Sequence, residues 1–328
     1  MKRLSGTTTT MLAAVAIAVI AAAPFVGMKF IALSEISLDQ TVREIFWSLR
    51  VPRVLTAFLA GGGLALCGMV FQAVFRNPLA TPFTLGVSSG ASCGAAVAIL
   101  FGLNRLAPAM PVVPLGAFVG AMAAMGLVYA FTTLSRDFST LTLLLAGIAV
   151  SFIFSSSLMF LQYLSNFTHS FQIVRWLMGG IEVFGYGHFA TMVPLVLAGG
   201  MIIAFFLPHL DHLLSGEDLA HSRGVNVGAT RTWLFIAASV MVAGIVAVCG
   251  PVGFVGMMTP HICRLALGGR HTTLGPACFL FGGAFLVLCD TVARTIVAPA
   301  EMPVGVLTAL MGGPFFLWLL FGREKQVM

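Results

Sequence analysis

The sequence predicts an all-α membrane protein with about ten transmembrane helices. The mean hydropathy is +1.03, far above that of a soluble domain. Of the residues, 59% are hydrophobic and only 9% charged. Apolar runs of 18 residues or more recur along the chain, and lipid cannot satisfy exposed backbone N–H and C=O groups, so these runs must be helical. At about 20 residues per span plus short connections, the chain has room for roughly ten of them. No soluble domain of useful size fits between the spans, so residues 1–328 read as one transmembrane domain.

The spans follow in order. Met11–Leu33 comes first, behind Lys2 and Arg3. It mimics a signal peptide, with small residues at Ala21–Ala23, but at about 20 residues it is too long for a typical hydrophobic core of one and reads as a retained span. The second is Val54–Val74, ended by Asn77-Pro78, and the third Thr84–Leu103. Val112–Leu134 is the fourth, Leu141–Leu164 the fifth and Ala190–Leu207 the sixth. Thr232–Cys249 is the seventh. The eighth, Val252–Leu267, is interrupted by Gly253, Gly256 and Pro260 and should be short or bent. Leu274–Thr291 and Val304–Phe321 complete the set.

Gly86, Gly90 and Gly94 recur every fourth residue in the third span, and Gly116 and Gly120 do so in the fourth. That spacing lets helix backbones approach closely. Ser88-Ser89-Gly90 suggests a serine nucleophile only superficially, because no histidine in the neighbouring segments stands ready to activate it. Cys67, Cys93, Cys249, Cys263, Cys278 and Cys289 lie in apolar or span-edge segments with no CxxC pair, as buried small hydrophobes do.

The net charge of +6 fits contact with the membrane surface better than nucleic-acid binding. Ten spans put both termini on one side. With the N-terminus inside, the inner basic residues are Lys2, Arg3, Arg76, Arg136, Arg223, Arg231, Arg264, Arg270, Arg323 and Lys325. The outer ones are Lys29, Arg43, Arg50, Arg53, Arg105, Arg175 and Arg294, so the positive-inside rule favours cytoplasmic termini by a small margin.

One long polar stretch, Pro208–Arg231, separates the sixth and seventh spans. A connector needs only a few residues, whereas this one carries its own capping signals. Ser215 can cap a helix, with Asp218 three residues on completing a variant capping box. Glu217 and Asp218 sit in its first turn, where the helix dipole favours anions. Gly224 is placed to end it. Leu210–Leu214 could form another turn, giving two short helices with a kink at Ser215-Gly216. An ordinary solvated loop is the alternative to a docking element for a soluble partner. His209, His212 and His221 lack the spacing of a metal site.

Six segments in order carry a resemblance. They are "RVPRVLTAFLAGGGLALCGMVFQAVFRNPLATPFTLGVSSGAS" (Arg50–Ser92), "LLLAGIA" (Leu143–Ala149), "RWLMGG" (Arg175–Gly180), "GEDLAHSRGVNVG" (Gly216–Gly228), "GFVGMMTPHICRLALGGRHTTLGP" (Gly253–Pro276) and "DTVARTIVAPAEMPVGVLTALMGGPFFLWLL" (Asp290–Leu320). Over nearly its whole length the chain resembles the permease subunits of iron–siderophore, haem and cobalamin ABC importers. The resemblance implies the type II ABC importer permease fold in a bacterial cytoplasmic membrane. It also implies a homodimer with a path along its axis, two separate ATPase subunits on the inner side and a periplasmic or surface substrate-binding protein outside. The family's coupling helices match Leu213, Leu214, Gly216, Glu217, Asp218, Ala220, Arg223, Gly224 and Val225, within the loop 208–231. The family's binding-protein contacts match Arg50, Arg53 and Arg294. The alternative roles are headgroup anchoring or, for Arg294, an i,i+4 pair with Asp290. Ser139 and Thr140 fall near the family's inner gate, or simply cap the fifth span. The chain departs from the family at Ser215-Gly216-Glu217-Asp218, where Leu-Gly-Glu-Glu is frequent, at Arg223, where Leu is usual, and at Thr259, where Val is commoner.

An importer permease is not itself an enzyme. The residues agree in that Lys2, Lys29 and Lys325, the only lysines, stand in no Gly-Lys-Ser/Thr phosphate loop. No cofactor is expected on this chain, and ATP–Mg belongs to the partner. The competing class is an ion-gradient-driven transporter, which wants acids at mid-span. Asp290 and Glu301, the nearest candidates, lie toward an end.

Overall fold

The computed structural model describes residues 5–27, 29–103, 111–134, 140–214 and 216–324, and among these the regular elements are all helical. Each predicted span meets a helix, though several bounds move for identifiable reasons. α1 (Ser5–Ala22) stops well short of Leu33, because Pro24 is tolerated only in a first turn and opens a 3₁₀ turn, Ala23–Phe25, instead. A short helix, α2 (Leu33–Leu38), follows. α3 runs over Gln40–Val74, longer than the predicted Val54–Val74. Asp39 starts it by accepting from the Thr41 and Val42 N–H groups at 2.8 and 3.4 Å, and a π-helical stretch covers Phe46–Arg50.

α4 (Val87–Leu100) begins only after Gly86, whose φ of +87° ends the preceding 3₁₀ turn. α5 (Val112–Leu134) and α6 (Thr140–Leu164) fall where periodicity put them. α7 (Phe167–Leu177) was not predicted. It is capped by the Asn166 carboxamide oxygen, which accepts from His169 N–H at 2.8 Å, and it is too short and too polar for a span. α8 (Gly187–Leu213) carries Pro194 and Pro208 inside it and absorbs Leu210–Leu213. The predicted pair of short helices is therefore one: α9 (Glu217–Ser222), standing alone after a long α8. α10 (Val227–Cys249) is capped by Asn226, α11 (Val255–Leu267) contains Pro260, and α12 (His271–Ala293) and α13 (Val304–Glu324) close the chain.

By length and composition six of these helices can cross a membrane; α1, α4 and α13 offer shorter apolar stretches, and α11 has 13 residues. α3 is the axis of the packing. Its most apolar window is 89% buried, against 17% for α6, and α8, α10, α11 and α12 surround it. Close approach depends on glycine. A Cβ on Gly94 would overlap the Gly116 carbonyl, and one on Gly120 would overlap that of Gly90, so the every-fourth-residue glycines do join α4 to α5. Gly68 of α3 meets the Gly256 carbonyl of α11 in the same way.

The predicted eighth span is short as expected, but Gly256 and Pro260 lie inside α11 and the irregular stretch precedes it. Residues 250–254 are not helical, Gly250 has φ +65° and Phe254 φ +66°. The end of α7 and the chain after it lie against this stretch: a Cβ on Gly179 would overlap the Pro251 carbonyl, one on Gly250 would crowd the Trp176 carbonyl, and just before it Gly180 N–H donates to Cys249 O at 2.9 Å. Irregular backbone in an apolar bundle is tolerated where protein covers it or a cavity adjoins it. Both hold here, since Gly180 and Gly250 also line the large cavity described next.

Candidate functional site

Polar chemistry collects at the two ends of the bundle. One end carries the C-termini of α3 and α8, all of α9 and the N-termini of α10 and α12. Here α9 is a single closed unit. Its N-cap is Gly216, in a conformation (φ +114°, ψ +156°) open to glycine, with no side-chain cap; the predicted cap Ser215 lies outside the described residues. At its other end Gly224 N–H donates to His221 O and Val225 N–H to Ala220 O, both at 3.0 Å, with Gly224 at φ +81°. This is the paired C-terminal lock that a left-handed glycine permits. Ala220, Val225 and Leu213 are buried beneath the helix, while Leu214 (60% exposed) and Leu219 (52%) point away. Asp218, His221, Arg223 and Gly224 share that outer face, and Arg223 Nη1 lies 3.2 Å from His212 Nδ1. Of the nine predicted coupling residues, Leu213, Ala220 and Val225 are seated, Leu214, Asp218, Arg223 and Gly224 are presented, and Gly216 is the cap.

Glu217 belongs to neither set. Its Oε1 accepts from Arg231 Nη2 of α10 at 2.7 Å and lies 3.2 Å from Arg76 Nη2, just past α3. Asp211, read in the sequence as part of a polar loop, instead lies in α8 and caps the N-terminus of α12 from across the chain, in place of the N-cap Arg270, which makes no side-chain cap. It accepts from the His271 and Thr272 N–H groups and from Thr272 Oγ1, the last at 2.8 Å. The only sequence signal for this was an acid in the last turn of one helix and a threonine in the first turn of another. A cavity of about 270 Å³ opens beside the α8–α9 turn, lined by Leu210, Leu213, Leu214, Gly216, Arg76 and Arg231 among others.

The opposite end holds the three predicted docking arginines, and the structure brings them together. Arg50 donates to the Pro24, Phe25 and Lys29 carbonyls at 3.0, 3.1 and 2.7 Å, gathering the chain that leaves α1. Arg53 grips Asp290 with Nε and Nη2 at 2.9–3.1 Å and Glu301 with Nη1 at 2.7 Å. Arg294 is buried, donates to Ala23 O at 2.7 Å and lies 3.9 Å from Asp290, the i,i+4 relation open in the sequence. Beside them is a cavity of about 1050 Å³, lined by Arg53, Glu301, Arg175, Glu182, Trp176 and Phe184 with others, in which Arg175 and Glu182 pair at 2.7 Å. Ser139 and the side chain of Thr140 lie outside the described residues.

A bundle with a buried axial helix, a broken half-helix beside a large cavity and a compact helix presented at the far end is the build of a helical membrane permease. The family model of the FecCD transport family matches residues 7–322, and the chain belongs to that family. It is 37% identical over 305 residues to the cobalamin import system permease protein of Halobacterium salinarum, covering 93% of this chain and 81% of that one. It is 36% identical over 304 residues to the hemin transport system permease protein of Yersinia pestis, covering 92% and 90%. A solved inward-facing ABC transporter assigned to the metal-chelate type superposes with TM-score 0.87 at 30% identity, over 96% of this chain and 99% of that one.

Proposed function

We propose that this chain is the transmembrane subunit of a binding-protein-dependent ABC importer for iron chelates. A ferric siderophore is the first choice of cargo, with haem and cobalamin as the named cargoes of relatives. It works as a homodimer in the cytoplasmic membrane with ten spans and both termini inside. α9 is the contact for a separate ATPase, and a binding protein delivers cargo at the Arg53–Glu301 end. The observation that carries the reading is α9 itself. A six-residue helix locked at its C-terminus by Gly224 keeps Ala220 in the core and holds Leu214, Leu219 and Asp218 outward, which is what a docking element for a soluble protein requires. The largely apolar, exposed faces of α6 and α13, including Phe152, Met159, Leu317 and Trp318, supply surface for a second copy and for lipid.

Transport would then be alternating access. Closure of the ATPase dimer pulls α9, and the path switches between its two openings. Few charges lie between the ends, so selectivity rests mainly with the binding protein. The test is reconstitution with the partner ATPase and binding protein, offering ferric siderophore, haem and cobalamin in turn. ATP-dependent accumulation of one cargo, abolished by Leu219→Glu together with loss of ATPase copurification, is expected. Accumulation that follows a proton gradient and ignores ATP would overturn the proposal in favour of a secondary transporter.

A further inference from the structure

We infer that Arg76, Arg231 and Glu217 form the joint that hands movement of α9 to α3, with Glu217 facing the permease body and not the ATPase. The inference rests on the reading of α9 as the ATPase contact.

Three independent features converge on it. First, one carboxylate oxygen of Glu217 serves two cations from two different helices, Arg231 at 2.7 Å and Arg76 at 3.2 Å. Glu217 therefore ties the first residue of α9 to the start of α10 and to the end of α3. Second, Arg76 holds a left-handed conformation, φ +47°. It closes α3 as Gly224 closes α9: Arg76 N–H donates to Ala73 O and Asn77 N–H to Gln72 O. Glycine would fill that position without strain, whereas an L side chain there is disfavoured. Strain of this kind persists where the side chain has a task, and the task visible here is the reach to Glu217. Third, a cavity opens beside the turn that leads from α8 into α9, and its wall includes both arginines, Gly216 and Leu214. The entry to α9 is thus not packed solidly onto the bundle, although Ala220 anchors the helix itself. That turn has room to move while Glu217 keeps hold of its neighbours.

α3 suits the receiving role. It is one unbroken helical run from Gln40 to Val74 and the most buried of the long helices. Arg53, toward its other end, holds the buried Asp290 on one side and, on the wall of the large cavity, Glu301 on the other. The rise of a helix, about 1.5 Å per residue, places Arg53 and Arg76 roughly 35 Å apart on one rod. A displacement at Glu217 thereby has a stiff route to the distant opening. Positioning, not contact with cargo or nucleotide, is the role of all three residues.

The measurement is ATP-driven uptake per ATP hydrolysed in the reconstituted full complex, with ATPase copurification and thermal stability read in parallel. The variants are Arg76→Gly, Arg76→Lys and Glu217→Gln. The Arg76–Glu217 pair is exposed and adds little to stability, and Glu217→Gln keeps a carbonyl oxygen to accept from the more buried Arg231, so none of these should unfold the protein, and Arg76→Gly should raise its stability by relieving φ. Copurification and hydrolysis should persist in Arg76→Gly and Glu217→Gln while uptake per ATP falls about tenfold, within the usual range of coupling energies. Arg76→Lys should retain most of the coupling. Unchanged uptake per ATP in Arg76→Gly and Glu217→Gln would overturn the joint. So would loss of ATPase association in Glu217→Gln, which would make Glu217 a direct contact. If the unaltered chain binds no ATPase, it is the underlying reading of α9 that fails.

Discussion

Replacing Asp290 tests whether Arg53 and Arg294 are held as an internal cluster. The carboxylate is 2% exposed, Arg53 is 16% exposed and Arg294 5%. Arg53 meets it at 2.9–3.1 Å through two nitrogens, and Arg294 stands at 3.9 Å. At a charge separation of about 4 Å and an effective dielectric of about 20, each attraction is roughly 4 kcal/mol before desolvation. Removing the carboxylate takes away both attractions and leaves two largely buried guanidinium groups facing each other, with Arg53 on the cavity wall. Breaking a buried pair in this way costs about 3–5 kcal/mol. Glu301 still holds Arg53 Nη1 from the solvent side at 2.7 Å, which sets the expectation for Asp290→Asn near the lower bound, about 3 kcal/mol. Asn is the stricter variant, because it keeps the shape and removes only the charge. Equilibrium unfolding in mixed micelles measures the loss, and a cycle with Arg53→Met isolates the pairwise part. If Asp290→Asn unfolds within about 1 kcal/mol of the parent, no buried cluster of the kind described exists.

Two further outcomes follow from the packing and the caps. Gly94→Val should abolish monodisperse protein, because its side chain would occupy the Gly116 carbonyl and force α4 from α5; size-exclusion chromatography of the purified chain decides it. Asp211→Ala should cost about 1–2 kcal/mol by uncapping α12, with Asp211→Asn recovering part of it, both read by the same unfolding assay.

The helices were legible because burial in lipid demands long apolar runs, and α5 and α6 begin and end where those runs do. Misplaced bounds trace to caps and special backbone. Asp39 starts α3 upstream of its apolar run, Gly86 delays α4, and Pro24 truncates α1. α7 escaped notice because its Asn166 cap and single buried Ile173 leave no run to see. The loop between α8 and α10 was legible as a structured element, and Gly224 as its terminator. What could not be read was partnership across the chain. Nothing near Asp211 says that it caps a helix sixty residues on, and nothing near Arg76 says that Glu217 is its neighbour. Local patterns report the residue's own helix; ion pairs between distant helices are set by the packing.

The same distinction governs the three outer arginines. Sequence position assigned them to the outer ends of their spans, and the structure gathers them at one end of the bundle, yet position alone does not tell which face of a guanidinium is free. Arg50 spends its terminal nitrogens on three backbone carbonyls, and Arg294 is enclosed with one nitrogen on Ala23 O. Arg53 alone divides its fork between a buried acid and a half-exposed one, Glu301. A soluble partner approaching this end therefore meets Glu301 and the exposed Arg175–Glu182 pair before it meets Arg294. A further carboxylate on Arg53 has only the second hydrogens of Nη1 and Nη2 left to it, so it enters in competition with Glu301 at the open edge of the group. Glu301 is on the wall of the large cavity, so that competition and the shape of the opening are settled at one side chain.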